Sequence, residues 1–103
     1  MHPSEIRTPE VVTICGSMTV FGDMLDVAAA ESLRGVLVHL PVPVPDAADH
    51  TNTLDLLHRH KIDLSDRVIV VTRSHRIGHS TRGEITYAEE HGKIVEYRNF
   101  GDT

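Results

Sequence analysis

Three short stretches of the chain carry residue types that could do chemistry, and the first is "TRGE", Thr81 to Glu84. A carboxylate three residues after a threonine, ahead of the periodic "ITYA", fits two uses. In one, Thr81 caps a helix and Glu84 bonds back to the cap N–H, the capping-box arrangement. In the other, Glu84 sits in the positive end of the helix dipole, which keeps it ionised, at the mouth of a pocket. An ionised carboxylate so placed can attack an anomeric carbon. Gly83 beside it would leave room for a ligand. Residue type and spacing leave both uses open.

The second stretch is "CGSM", Cys15 to Met18. Gly16 at a strand end lets backbone approach a ligand closely, and Ser17 adds a hydroxyl. The N–H groups of a following helix would favour an anion such as phosphate. With neither Gly-x-Gly-x-x-Gly nor a Walker lysine, an ordinary strand-to-helix turn is the plainer account. The third stretch is the loop after the third apolar run, where Arg73, Arg76 and Arg82 bring three guanidinium groups together. Such a cluster suits a phosphorylated ligand, and a solvated basic loop is the alternative.

Eight histidines are many for this length. His75 and His79 flank "RIG" in the same loop, while His58 and His60 are expected on the exposed face of a helix. A zinc site needs about four convergent ligands. With no Cys pair and no His-Glu-x-x-His, no metal is expected, and the chemistry considered needs no organic cofactor. Asp66 starts the third strand, at its amino end, away from the edge where ligands bind. It could take a direct catalytic role only through a neighbouring chain.

These residues need elements to hold them. "VVTIC", Val11 to Cys15, is a β-branched apolar run suited to a strand buried on both faces. "MTVFGDMLDVAAAESLRG" has Met24, Leu25, Ala28, Ala29, Ser32 and Leu33 at helical spacing, with Gly35 as the stop. Val36 to Leu40 is a second strand, and "PVPVPDAADH" is a rim loop because proline has no N–H to give a ladder. "TNTLDLLHRHKI" reads as a helix with Leu54, Leu57 and Ile62 inward and Thr51 or Thr53 as cap. Ser65 to Thr72 is a third strand, about Thr81 to His91 a helix stopped by Gly92, and Lys93 to Tyr97 a fourth strand. The order βαβαβαβ implies an α/β fold, a flavodoxin- or Rossmann-like three-layer sandwich on a short parallel sheet of about four strands. Residues 1–8 and 98–103 are expected to be loose ends of a single domain, residues 1–103. Ligands of such sheets bind beyond the carboxyl ends of the strands, where strand order switches. That rule brings "CGSM" and the Glu84 region to one edge if strands one and three are neighbours.

Composition narrows the class. One chain of 103 residues is one domain. A formal charge of −5 with 4% aromatic residues offers no basic stripe and no stacking platform, so no nucleic-acid polymer is expected as partner. Cys15 stands alone, so no internal disulfide forms. No apolar stretch approaches the ~18 residues of a membrane span and no signal-peptide pattern precedes the first apolar run, which reads as a cytoplasmic protein with no membrane partner.

"VVTICGSM", "SDRVIVVT" and "GHSTRGEITYAEEHGKIVEY", roughly half of the chain, together resemble the nucleoside 2-deoxyribosyltransferase-like superfamily, which includes nucleotide N-glycoside hydrolases. The last block is the most specific, with Ser80, Glu84, Ala88, Gly92 and Lys93 at the family's positions. The resemblance implies cleavage or transfer of the bond between a nucleobase and its sugar, without a cofactor. It puts the nucleophile at Glu84 and an acidic position at Asp66. Gly16 and Ser17 match the turn that approaches the sugar or its 5′-phosphate, and Ser80 or Thr81 a hydroxyl donor to that end; Met18, Gly78 and, for a phosphorylated ligand, Arg76 complete the expected ligand-binding set. It also implies a homodimer or larger assembly and a nucleoside or nucleotide ligand. A non-catalytic nucleotide-binding or sensing module on the same fold is the alternative. The chain departs from the pattern in three ways. It is short, it reads "MTVFGD" where nucleotide-hydrolysing members often carry a basic residue, and only Phe21, Tyr87, Tyr97 and Phe100 are available as an aromatic wall.

Overall fold

The computed structural model describes residues 8–101. Four strands alternate with three α-helices in the order β1 (Val11–Cys15), α1 (Phe21–Leu33), β2 (Leu37–His39), α2 (Thr51–Asp63), β3 (Arg67–Arg73), α3 (His79–Glu90) and β4 (Ile94–Phe100). Short 3-10 turns, Met18–Val20 and Ala47–His50, lead into α1 and α2. All four strands are parallel, in the order β2-β1-β3-β4. Strands one and three are therefore neighbours, and strand order reverses between them.

That order decides which face each helix covers. The step from β1 to β2 runs one way across the sheet, and the steps to β3 and β4 run the other. Right-handed crossovers then put α1 on one face and α2 with α3 on the opposite face. Alternation along the strands matches this layering. Val12, Ile14, Ile69 and Val71 pack with Val20, Met24, Val27 and Ala28 on the α1 side. Cys15, Val68 and Val70 pack with Ile62, Ile85 and Ala88 on the other side. β1 and β3 are apolar on both faces because both are covered.

Gly35 and Gly92 stop their helices as expected. Each has a left-handed φ, 86° and 71°, that costs glycine little. Behind Gly35, Val36 N–H bonds to Glu31 C=O and Gly35 N–H to Ser32 C=O, the pair of bonds that closes a Schellman end. Lys93 and Gly92 repeat that pattern on Ala88 and Glu89.

Several expectations are corrected. The buried stripe of α1 is Met24, Val27, Ala28 and Glu31, whereas Leu25 is half exposed and Leu33 is 91% exposed. In α2 the buried residues are His58 and Ile62, with Leu57 turned outward. His58 thus leaves the exposed face expected for it, while His60 stays there. Neither Thr51 nor Thr53 caps α2, whose N-cap is His50 without a side-chain bond. α3 starts at His79 behind Gly78, so Thr81 is not its cap and Glu84 lies beyond the first turn. The tail is ordered further than expected, since Arg98 to Phe100 continue β4 against Val71 to Arg73. Residues 1–7 and 102–103 of the expected loose ends lie outside the described residues. No helix among the described residues is long and apolar enough to cross a membrane.

Candidate functional site

The crevice beyond β1 and β3 holds a cavity of about 600 Å³. Its floor is the β1 turn, Gly16 to Met18, and one side is the first part of α3, with Gly78, Ser80, Thr81 and Glu84. The other side is α2, with Leu54, Asp55, Leu57, His58 and Lys61. The proline-rich loop closes the rim with Pro41 to Val44. This volume is that of a small-molecule site, and the mix of an apolar wall with a few convergent polar groups is the usual one.

Gly16 is required at the floor. A Cβ there would lie 2.9 Å from the Val71 carbonyl oxygen and 3.1 Å from Met24 Sδ. Gly16→Ala is expected to cost about 1–3 kcal/mol through this overpacking, read as a lower urea midpoint at unchanged slope. Ser17 then turns the chain, its hydroxyl accepting from Thr19 N–H at 3.3 Å.

Glu84 is placed by the register of α3. With the helix beginning at His79, Thr81, Glu84, Ile85 and Ala88 fall on the inner face. The Glu84 side chain is 15% exposed, and its Oε2 lies 3.7 Å from His58 Nε2. Cys15, the last residue of β1, brings its Sγ to 3.3 Å from the same nitrogen. Three elements therefore converge on one point, and the three donor atoms lie within 4.8 Å of one another.

Burial sets the charge of this cluster. It pushes the Glu84 carboxyl up to about 7, helped by the nearby Asp55 charge. Burial also pulls His58 down to about 4, with Lys61 and His39 adding to the effect. The Cys15 thiol is raised well above its ordinary value by burial and then by Glu84. At neutral pH the imidazole is uncharged, the thiol keeps its proton and Glu84 is close to half protonated. The 3.7 Å contact is then not an ion pair. His58 Nδ1 is buried with no partner among the described residues, and Nε2 lies within hydrogen-bond range of Cys15 Sγ. The expectation that a helix dipole keeps Glu84 ionised is overturned, because the carboxylate lies past the first turn, where the dipole has faded.

The structure brings Gly16, Ser17, Met18, Gly78, Ser80, Thr81 and Glu84 together. Arg76 lies in an adjoining hollow with Arg82 and His75, which shares Ser17 and Gly78 with the main cavity. Arg73 there is held by Asp23 through two bonds of 2.8 and 3.0 Å. Asp66 takes no part in the cavity. It stands at the amino edge of the sheet, where its Oδ2 accepts from Val11 N–H at 2.8 Å. None of the four aromatic residues lines the cavity. Phe21 and Phe100 pack on the α1 side, and the Tyr87 hydroxyl donates to Asp63.

The α2 contribution, Asp55, His58 and Lys61, was not legible as a site. A stripe at 55, 58 and 62 is a helical face. Ranking the leucines inward hid it, because Leu54 and Leu57 face the cavity and its rim instead of the core. The proline-rich loop, Pro41 to Val44, supplies an apolar wall of the cavity. No protein family, curated protein or solved structure matches the chain.

Proposed function

We propose that this chain cleaves or transfers the N-glycosidic bond of a nucleoside or nucleoside 5′-monophosphate, with Glu84 as the attacking carboxylate. The observation that carries this reading is the position of Glu84. Its carboxyl lies in one cavity with Gly16 and Ser17 and does not fold back on the amides of its own helix. In the reaction, a Glu84 oxygen forms a bond to C1′ as the C1′–N bond breaks. The electron pair leaves with the base, which takes up a proton from solvent, and water, giving its proton back to solvent, or a second base then displaces Glu84. Ser17, Ser80 and the α3 N-terminus, which line the cavity, would hold the sugar end, and the hollow with Arg76 and Arg82 would take a 5′-phosphate. The half-exposed Leu57 and the exposed Val42 stand at the cavity. The reading includes a second copy covering them, which sedimentation would report as a dimer.

The second reading, a nucleotide-binding module without turnover, is favoured by one observation. A carboxyl raised to about 7 spends half its time as a hydrogen-bond donor near neutral pH. Chromatography of free base from a panel of nucleosides and their 5′-monophosphates separates the two. Release by the wild type and none by Glu84→Gln supports the nucleophile. Attack needs the ionised form, so the rate should climb with pH through about 7. No release from any substrate, with nucleotides still raising the melting temperature, would leave the binding module.

A further inference from the structure

We infer that Cys15, His58 and Glu84 form a binding site for one zinc-like divalent cation, with a coordination position left open to the cavity. Zn–S of about 2.3 Å, Zn–N of about 2.0–2.1 Å and Zn–O of about 2.0–2.2 Å put tetrahedral ligand atoms roughly 3.4–3.6 Å apart. The observed Sγ–Nε2 and Nε2–Oε2 separations are 3.3 and 3.7 Å. All three donors fall within 4.8 Å of one another, so small side-chain rotations bring them onto one ion.

The chemistry of the set fits a borderline ion. A thiolate disfavours magnesium, calcium and manganese, and an imidazole beside it suits zinc. Thiolate and carboxylate together cancel a divalent charge, so the filled site is neutral where burial disfavours net charge. On binding, the S–metal, N–metal and O–metal bonds form. The Cys15 proton and whatever proton Glu84 holds go to solvent, and His58 contributes the Nε2 lone pair. The His58 Nε2, buried with the rest of its ring, faces the Cys15 thiol and the Glu84 carboxyl, so the nitrogen aimed at the cluster is the one that would ligate. The three ligands also stand on three different elements that the sheet holds rigidly, the end of β1, α2 and α3. Glu84 and His58 line the cavity while Cys15 lies behind them, so the open side faces the cavity. With the ion bound, Glu84 is engaged and cannot attack a sugar, so zinc is expected to suppress base release.

The test uses the full chain stripped of metal, titrated with Co²⁺ alone and then displaced by Zn²⁺. One equivalent per chain is expected, with a sulfur-to-cobalt charge-transfer band in the near ultraviolet and intense tetrahedral d–d bands. Zn²⁺ should erase both and raise the melting temperature. Cys15→Ser should lose the charge-transfer band and more than about 100-fold in affinity, since even outer-shell changes cost roughly 10–100-fold. Glu84→Gln should keep the band and bind more weakly. Cobalt taken up without a sulfur band means binding at exposed histidines and overturns the site, as does full affinity in Cys15→Ser or no uptake at all. If Cys15→Ser fails to fold, the wild-type spectrum still decides, because Cys15 is the chain's single cysteine. No substrate enters this titration, so its failure and the failure of the glycosidic reading are separate results.

Discussion

Glu84→Gln, which should abolish base release, is expected to make the metal-free protein more stable, raising its melting temperature by roughly 10 °C at pH 8. The cause is the environment of the carboxyl, whose pKa rises from 4.5 to about 7 because burial and the Asp55 charge disfavour ionisation. The sign follows from linkage. A group that holds its proton more tightly when folded contributes stability fully present below about pH 4.5, and loses it as pH rises through about 7. At pH 8 the wild type therefore carries a buried charge that costs roughly 2–3 kcal/mol. Glutamine keeps the shape and removes the charge. The gain should shrink to well under half at pH 5, where folded Glu84 is already neutral. A capping role would give the opposite sign, a loss of about 0.5–1 kcal/mol at either pH. Thermal melts of both proteins at pH 5 and 8, with chelator present, check this. A stabilised variant without turnover would be the trade-off expected of a site that keeps a strained group for chemistry.

Arg67→Met is expected to cost about 3–5 kcal/mol at pH 7, enough to threaten the fold of a domain this small. Arg67 begins β3 at the edge opposite the cavity. Its guanidinium reaches Glu10 and Glu31 through Nη2, at 2.8 and 2.9 Å, and Glu96 through Nη1 at 2.8 Å. Glu10 and Glu96 are partly in water, but the Glu31 side chain is only 2% exposed. Hydrogen bonds from Arg67 hold the Glu31 carboxyl below the usual range against the opposing effect of burial, with Arg34 assisting. Methionine keeps the stem and removes the charge, leaving Glu31 buried with weaker partners. A depressed carboxyl contributes stability that is present above about pH 4.5 and lost below it, so the difference between the proteins should narrow in acid. Urea unfolding at pH 7 and pH 4 reads both. A cost under 1 kcal/mol at pH 7 would mean that Arg34 and Arg98 carry Glu31 without Arg67.

The two predictions lie at opposite ends of the sheet, and this division was partly legible. Short β-branched runs at residues 11–15 and 65–72 announced buried parallel strands, observed at Val11–Cys15 and Arg67–Arg73, since strands covered on both faces are apolar nearly throughout. Gly35 and Gly92 announced helix ends because only a left-handed residue closes those bonds cheaply. From strand and helix alternation followed the sheet and the edge where a ligand would sit. "CGSM" and the Glu84 region share that edge on the condition that strands one and three are neighbours, which the order β2-β1-β3-β4 meets.

Helix rotation and charge were not legible. Glu84 has the spacing of a capping glutamate from Thr81. Only the true start of α3 at His79 turns it inward. His58 looked exposed while the leucines of α2 were counted as core, and a helix beside a cavity has two apolar directions to choose between. Cys15, His58 and Glu84 are separated by 43 and 26 residues, and no spacing rule links them. Their meeting follows from strand order, from which face α2 and α3 cover, and from the depth at which the sheet ends. The protonation of Glu84 is later still in this chain of causes, because it depends on how much water the packed neighbours exclude. By itself the sequence determined the elements, their alternation and the edge where a ligand would sit, since these rest on local period and turn chemistry. The tertiary structure alone decided which side chains converge there and what charge they carry, since both depend on burial between elements distant in the chain.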